Sequence, residues 1–568
     1  MKKVTTLVLM LCLTLSGAFC HASGVAEQKQ VIKQFAMKKA LLVSLLALIE
    51  LFLNAQEADL FFFKQYDFEQ NFSGAHVLEV GTDETPDEHC YMLAVCDLTT
   101  DFSEYETVVT YPAKILKLST NGELLNELVI GEEGRRSVVY KVFQIPDDPS
   151  CFLAVGKIHN NELHYDIPLL AKFDLQLNLL WLREIQLPEA YRKWFFRGQT
   201  MMDSQGDIIY CTAPFDANSQ SLNSNLIHLR LSQEGELLAL SEFPHQTYYV
   251  DGGQGELFEY QDGSGDYGQS IRPSSNTMPN AIYRFNRDLE IVGQQDLPND
   301  LYLPLGAVIP SLALSLHDTY EAVVFHKKDG TIIVGTTARE SFLKPNGLTD
   351  HTDLGTLAIL KLDSESNLDT LVFVGHDNDS LDLLAFNKGM DNYGEEVLYF
   401  CNFQVYPNDI EPTNPNDFVV TKTDADANIL WQRYLHDRRN IYRPASIVVS
   451  SDGGCLVSGY RQNSTNLTEC EVFLLKVFPD GTLSVHDPEI TFCPFSFYPN
   501  PVKEQLLIQF SPDVQPKQIE LYDLQGRLVR SQSKAFESID MGQLPAGTYT
   551  LRITLEDGKT YSDKVVKE

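Results

Sequence analysis

Two short stretches gather cations and aromatic rings in a chain that is otherwise acidic. The first, YRKWFFRG, carries Tyr191, Arg192, Lys193, Trp194 and Arg197; the second, HDRRNIYRP, carries His436, Arg438, Arg439, Tyr442 and Arg443. Aromatic planes beside fixed guanidinium groups suit sugars, acidic glycans or carboxylate-bearing peptides. Trp194, Arg197, Arg439 and Tyr442 are therefore the candidate ligand-binding residues. The competing reading buries the rings in the interior and pairs the cations with this chain's many carboxylates.

Catalytic signatures are missing from the sequence. There is no phosphate-binding GxxxxGK[ST], no GxSxG, no HExxH and no GxGxxG behind a strand, so no catalytic residue, metal or cofactor is assigned. Asp262, Ser264 and Asp266 imitate the opening of a calcium loop, but Tyr267 stands where the sharp turn requires glycine and Pro273 where the bidentate Glu belongs. Asp424, Asp426 and Asn428 read as a hairpin turn. Ser450-Ser451-Asp452-Gly453-Gly454 resembles the start of the Asp-box of sialidase propellers, yet Val457 replaces its aromatic residue and the segment follows a first strand rather than a third.

The elements that position these stretches form a repeat. A hydrophobic strand ending in a cation, a short turn and a second hydrophobic strand recur with Lys117, Lys172, Arg230, Arg284, Lys361, Lys422 and Lys476. The cations are 55, 58, 54, 77, 61 and 54 residues apart, a period that fits four-stranded propeller blades and exceeds that of common helical repeats. The expected fold is all-β: a seven-bladed β-propeller followed by a small Ig-like β-sandwich. LFFFKQY, residues 60 to 66, resembles an outer strand and is expected to complete the last blade, closing the ring and protecting its sheet edges. The connections between second and third strands read as long loops, which together with the blade-to-blade connections should open on one face, the expected binding face. The repeated cation itself is expected to pair with an acidic neighbour or to snorkel outward, a structural role.

The chain has 568 residues and a formal net charge of −34, which argues against nucleic-acid binding through a basic field. Its ten cysteines include no zinc-like CxxC pair, and most read as small buried core residues. Two signal-peptide patterns stand in series, from Met1 and from Met37, each with a Lys-Lys start and a short apolar run. Residues 1–56 are therefore a signal region, with translation expected to begin at Met37. Neither run is long enough for a spanning helix, so an integral membrane protein is not expected.

From Phe492 the pattern changes to alternating strands with turns at Asp523 to Gly526, Pro545 to Gly547 and Asp557-Gly558. Tyr498-Pro499-Asn500-Pro501, Tyr522-Asp523-Leu524-Gln525-Gly526-Arg527, Leu544-Pro545-Ala546-Gly547-Thr548-Tyr549 and Lys564-Val565-Val566-Lys567 stand in that order. This segment resembles the type A C-terminal sorting domain of cargo for the type IX (Por) secretion system. By that resemblance Pro499, Asn500, Pro501, Gly526, Gly547, Tyr549 and Lys564 form the sorting motif, and the partners are the secretion machinery and a sortase-like peptidase that removes the domain. The resemblance also implies Sec export and a secreted or outer-surface location. The expected boundaries are 57–487 for the propeller, 488–497 for a linker and 498–568 for the sorting domain. The function expected is a non-enzymatic binding propeller for a glycan or protein ligand; the alternative is an extracellular polysaccharide hydrolase or lyase.

Overall fold

The computed structural model describes residues 63–66, 72–81, 89–97, 111–162, 165–215, 223–248, 254–271, 281–297, 303–304, 312–315, 322–343, 349–364, 367–374, 381–385, 388–405, 418–437, 440–463, 466–482, 490–493, 495–498, 502–510, 514–523, 526–556 and 558–567. All of them lie in one compact unit, Phe62–Glu568. The signal region and Pro499, Asn500 and Pro501 fall outside the described residues.

The described chain is almost entirely β-strand, with a single 3-10 turn at Glu189–Tyr191. Its building unit is a four-stranded antiparallel meander. In the first unit Phe72–Val80, Cys90–Asp97, Ala113–Leu118 and Leu124–Ile130 pair in that order. The same plan recurs over 137–184, 194–248 and 254–296. The fifth and sixth units, 323–374 and 390–437, merge into one twelve-stranded sheet through Leu381–Leu384, which pairs with Val397–Val405 and meets Gly355 in parallel. Ile490–Cys493 adds to the outer strand Ile429–Asp437 of the sixth unit, so part of the expected linker belongs to a sheet.

The innermost strands contact one another in chain order, and the last, Asn440–Val449, returns to contact Phe72–Val80. The seventh unit has only three strands of its own from this part of the chain. Its fourth is Phe63–Tyr66, paired antiparallel with Val472–Leu475. The Tyr66 hydroxyl also donates to Gly122 O at 2.8 Å, reaching the first unit. The closing strand expected at residues 60 to 66 is thus seen at 63–66.

Between units, buried apolar faces interlock. Met92, Ala94 and Ile115 of the first unit pack with Val142, Phe152 and Phe173 of the second, and equivalent clusters follow around the chain. Glycines in second strands permit the closest approaches: a Cβ on Gly156 would stand 1.8 Å from Val138 O, and one on Gly459 would stand 2.2 Å from Arg443 O. Both lie opposite a bulge in the adjoining innermost strand.

The repeated cations take the structural role expected of them. Lys172, Arg230, Arg284 and Lys476 pair with Asp148, Asp207, Asp262/Asp266 and Asp452, acids in or flanking the first turn of their own units. Lys117, Lys361 and Lys422 reach the next unit instead, at Leu175 O, Asp426 and Pro479 O. Arg284 bridges Asp262 and Asp266 at 2.8 and 2.6 Å, so a guanidinium sits where a calcium ion would have been held. The turn at 450–454 bonds Glu79 through Ser450 Oγ and Ser451 N, and the Asp424 carboxylate caps its own hairpin by accepting from Asp426 N and Asn428 N.

Three segments expected as long loops are strand extensions. Asp148–Asn160 with Tyr165–Asp174, Ile332–Leu343 with Thr349–Leu362, and Cys455–Asn463 with Asn466–Val477 form long hairpins whose pairing continues to the tip or near it. These stretches are rich in polar residues, which gave them the composition of loops. The seven described cysteines form no disulfide, and all but Cys96 are buried.

In the C-terminal part, a three-stranded sheet (Phe495–Tyr498, Gln505–Phe510, Ser538–Asp540) and a four-stranded sheet (Pro516–Asp523, Leu528–Gln532, Gly547–Leu555, Thr560–Lys567) enclose one apolar core that includes Leu506, Ile519, Leu551 and Val565. Gly526 takes φ +74° in a turn whose Asp523 carboxylate accepts from Arg527 N and pairs with the Arg527 guanidinium at 2.7 Å. The Tyr549 hydroxyl donates to Pro545 O, and Val502 N donates to Val566 O, tying the start of this part to its last strand.

Deleting residues 57–66 should open the edge of Asn466–Val477 and remove the Tyr66 bond, lowering unfolding stability by about 3 kcal/mol or more. An unchanged urea midpoint would refute closure by this strand. His228 gives a pH test. Its ring is buried, 2.8 Å from Gln269 Oε1, and burial lowers its pKa from 6.5 to about 4. The unfolded chain binds the proton first, so this contribution to stability is full above pH 6.5 and falls by about 3 kcal/mol at pH 4. In His228→Asn the slope of stability against pH should be shallower across that window; an identical slope overturns the assignment.

Candidate functional site

The innermost strands carry charges in an apolar setting. The bulges at Gly74/His76, Val139/Lys141 and Gln254/Leu257 reset the strand alternation at corresponding places. Lys141 of the second unit pairs with Glu256 of the fourth at 2.8 Å, and Lys388, just ahead of the sixth unit's first strand, pairs with Asp391 at 2.7 Å. Asp391 Oδ2 also accepts from Val449 N of the seventh unit. His76 of the first unit stays neutral: burial lowers its pKa, and Lys388 and Lys141 lower it further. Burial also pulls the Lys388 pKa down, but Asp391 and Glu256 more than offset this and hold it above the ordinary lysine value. These groups connect nonadjacent units, and each pair neutralises itself.

A cavity of about 410 Å³ lies beside this network, among the innermost strands of the fourth to sixth units and the turns that follow them. Phe258, Phe325 and His326 supply rings; Glu256, Lys388, Asp391 and Glu395 supply charges. Glu259, also in its wall, accepts from Ser204 N and Ser204 Oγ of the third unit. Gln261 N donates to His326 Nδ1 at 3.4 Å, which places the His326 proton on Nε2.

A second polar cluster stands under the 188–197 connection. Asp166 is buried and receives Lys157 Nζ at 2.8 Å, His159 Nδ1 at 3.0 Å and Phe195 N at 2.9 Å. Burial pushes the Asp166 pKa up, but Lys157, His159 and the Phe195 N–H more than offset it and hold it at about 2. Lys157 Nζ also donates to Phe195 O, so Lys157 and Asp166 grip the Phe195 peptide groups from both sides. Phe195 itself is in the core, and Lys193 O accepts from Asp166 N.

The four ligand-binding candidates do not form one described group. Trp194 and Arg197 belong to the bulged strand Trp194–Met202, on either side of the gripped Phe195. Arg439 falls outside the described residues. Tyr442 is fully buried, its ring packed edge-on against Phe473 and tilted against Phe418. Tyr442 is the third residue of the strand Asn440–Val449, which packs its ring into the gap between units. The charges of the innermost strands were missed; their signal was a lone Lys in VVYKVF and a lone Glu in GQGELF, each within a first strand.

Among the described residues no helix is long and apolar enough to cross a membrane, and no cluster of His, Cys, Asp and Glu has the arrangement of a metal site. No curated protein matches the chain. Solved structures give distant likenesses: a protein of unknown function from Bacteroides caccae (12% identity, TM-score 0.32, covering 57% of this chain and 90% of that one) and a member of the duf4221 family from Bacteroides vulgatus (8%, 0.31, 73% and 98%). Another is an ulvan lyase of a polysaccharide lyase family (9%, 0.35, 63% and 86%). At those scores the likeness is too slight to carry an argument about fold or activity. The C-terminal match is of another kind: the family described as secretion system C-terminal sorting domain matches residues 496–568, covering both C-terminal sheets, their shared core and the Asp523 to Arg527 and Leu544 to Tyr549 turns. Residues 496–568 are a C-terminal sorting domain of the Por, or type IX, secretion system, and the chain is cargo for export to the cell surface or beyond.

Proposed function

We propose that this exported chain is a seven-bladed β-propeller, residues 57–487, that binds a glycan or protein ligand without transforming it, followed by a linker at 488–497 and an Ig-like sorting domain at 498–568. The cyclic contacts of the innermost strands and the fourth strand supplied by Phe63–Tyr66 support the propeller. The observation that carries the binding role is the grip of Lys157 and Asp166 on Phe195. It fixes the backbone between Trp194 and Arg197, and a connection held before its ligand arrives loses less entropy on binding. The ligand face is the one on which this connection opens; Tyr442 is not part of it.

A second reading, a hydrolase or lyase, draws on the carboxylates of the 410 Å³ cavity. Glu256 and Asp391 are engaged by Lys141 and Lys388, and Glu259 by Ser204, while Glu395 makes only an exposed pair with Lys328, so the enclosed carboxylates are committed to partners. The signal region at 1–56 and removal of the sorting domain by a sortase-like peptidase complete the export route.

Two experiments check these assignments. Deleting 547–568 removes two strands of the four-stranded sheet and should leave the protein in the periplasm with the propeller folded; undiminished surface display would sink the sorting role. Residues 57–490 screened on a glycan array and against polysaccharide substrates should be retained without forming product. Product release without retention would favour the enzyme.

A further inference from the structure

The cavity of about 410 Å³ contains a polar atom left without a partner. Three first strands, Gln254–Glu259, Val323–His326 and Met390–Tyr393, end at its wall, and each runs into a tight turn there. Exposure separates its depth from its mouth. His326 is only 7% exposed, whereas the side chains of Lys328 and Glu395, on the turns, are 72% and 43% exposed, so the cavity opens to solvent at the turns. Ser204, which follows the third unit's first strand, reaches Glu259 on this side. The 188–197 connection enters the third unit at the other end of that strand, Trp194–Met202.

The His326 ring is held in place with one nitrogen unused. It lies 13° from parallel to Phe258 and edge-on to Tyr260 at 4.7 Å, and its Nδ1 accepts from Gln261 N. The proton is then on Nε2, which has no acceptor among the described residues. Burial is the largest influence on the ring and lowers its pKa, so the imidazole is neutral at neutral pH. His228 also has a ring nitrogen without a partner, its Nδ1, but that atom is shut off from water. The Nε2 of His326 is not, and the space it borders falls within the about 300–1,000 Å³ typical of small-molecule pockets.

The wall selects the chemistry of an occupant. Glu256, Glu259, Asp391 and Glu395 outnumber Lys328 and Lys388, which disfavours an anion. The enclosed carboxylates are already bonded, so a cation finds no uncommitted partner in the depth. A hydroxyl suits both sides, because it accepts from a neutral N–H and donates to a carboxylate with lone pairs to offer, as Glu395 has beyond its 3.4 Å contact with Lys328. Phe258 and Phe325 add apolar wall, where the C–H face of a sugar ring packs and water lacks polar partners. We propose that this cavity binds a small neutral saccharide, free or at the end of a glycan chain, with His326 Nε2 donating to one of its hydroxyls. The assignment is independent of the binding role given to the 188–197 connection, which lies at the opposite end of the first strands.

Saturation-transfer NMR titrations of the full chain with millimolar glucose, galactose, arabinose, maltose and cellobiose test the site. At least one of these sugars should receive saturation, and glucuronate and glucosamine should receive less. His326→Leu should weaken binding about tenfold, the contribution of one hydrogen bond, while His326→Gln, whose amide nitrogen reaches near the Nε2 position, should keep most of it. Glu395→Ala, on the exposed turn, should weaken binding as well, and it decides the matter if His326→Leu melts early. No transfer to any neutral sugar, or equal binding by wild type and both weakening variants, overturns the proposal. Stronger transfer to glucuronate or glucosamine overturns it too. Coupling the bound sugar to beads through its reducing end separates the two sources: retention on the beads supports a glycan end, and binding in solution alone supports a free sugar. Array retention of residues 57–490 with no transfer in wild type overturns this site and leaves the 188–197 role standing. Transfer that is lost in His326→Leu while array retention persists supports both.

Discussion

The bonds that cross from one four-stranded unit to the next are what the rest of the structure depends on. A four-stranded sheet has two exposed faces, and neither can be solvated at the apolar density seen here. Lys117, Lys361 and Lys422 reach forward to the following hairpin, while Glu79 and Glu259, at the ends of innermost strands, accept from the turns of the unit behind. Each such bond contributes on the order of 1 kcal/mol. Their effect is to fix register between apolar faces, and the interlocked cores then supply most of the stabilisation.

Much of this organisation was legible because the cation marks one strand in every unit. Polar turns and apolar strands alternate with a constant plan, and Gly at positive φ recurs at the hairpins Gly122, Gly206, Gly235, Gly330, Gly453 and Gly481. The long hairpin over 148–174 was hidden because KIHNNELHYDIP mixes polar and apolar residues evenly, and alternation over so short a span looks like a loop. Tyr442 was misplaced for a related reason: residue type indicates what a side chain can touch, while the strand start decides which way it faces. The Lys141–Glu256 pair illustrates the limit of local reading. Lys141 and Glu256 are 115 residues apart and meet only once the whole array is assembled.

The acidity of the chain also has an internal counterpart. Carboxylates outnumber cations by 78 to 44, yet cations are drawn inward, where Lys141, Lys157 and Lys476 each settle beside an acid. Surface charge keeps the exported protein soluble and acts against general association with nucleic acid or anionic surfaces. The interior uses the same residue types as fasteners. One composition thus serves two purposes, separated by burial.

The pairing of Phe63–Tyr66 with Val472–Leu475 sets an order of events in time. These partners are some four hundred residues apart, so Phe63–Tyr66 has no place to settle until nearly the last unit has been made. Loop closure over such a span adds little to the equilibrium cost but slows the search, and until it ends Asn466–Val477 presents an unpaired edge to every neighbouring molecule. A chain with this topology completes its last sheet late, and the interval before closure is when that edge is most exposed to aggregation.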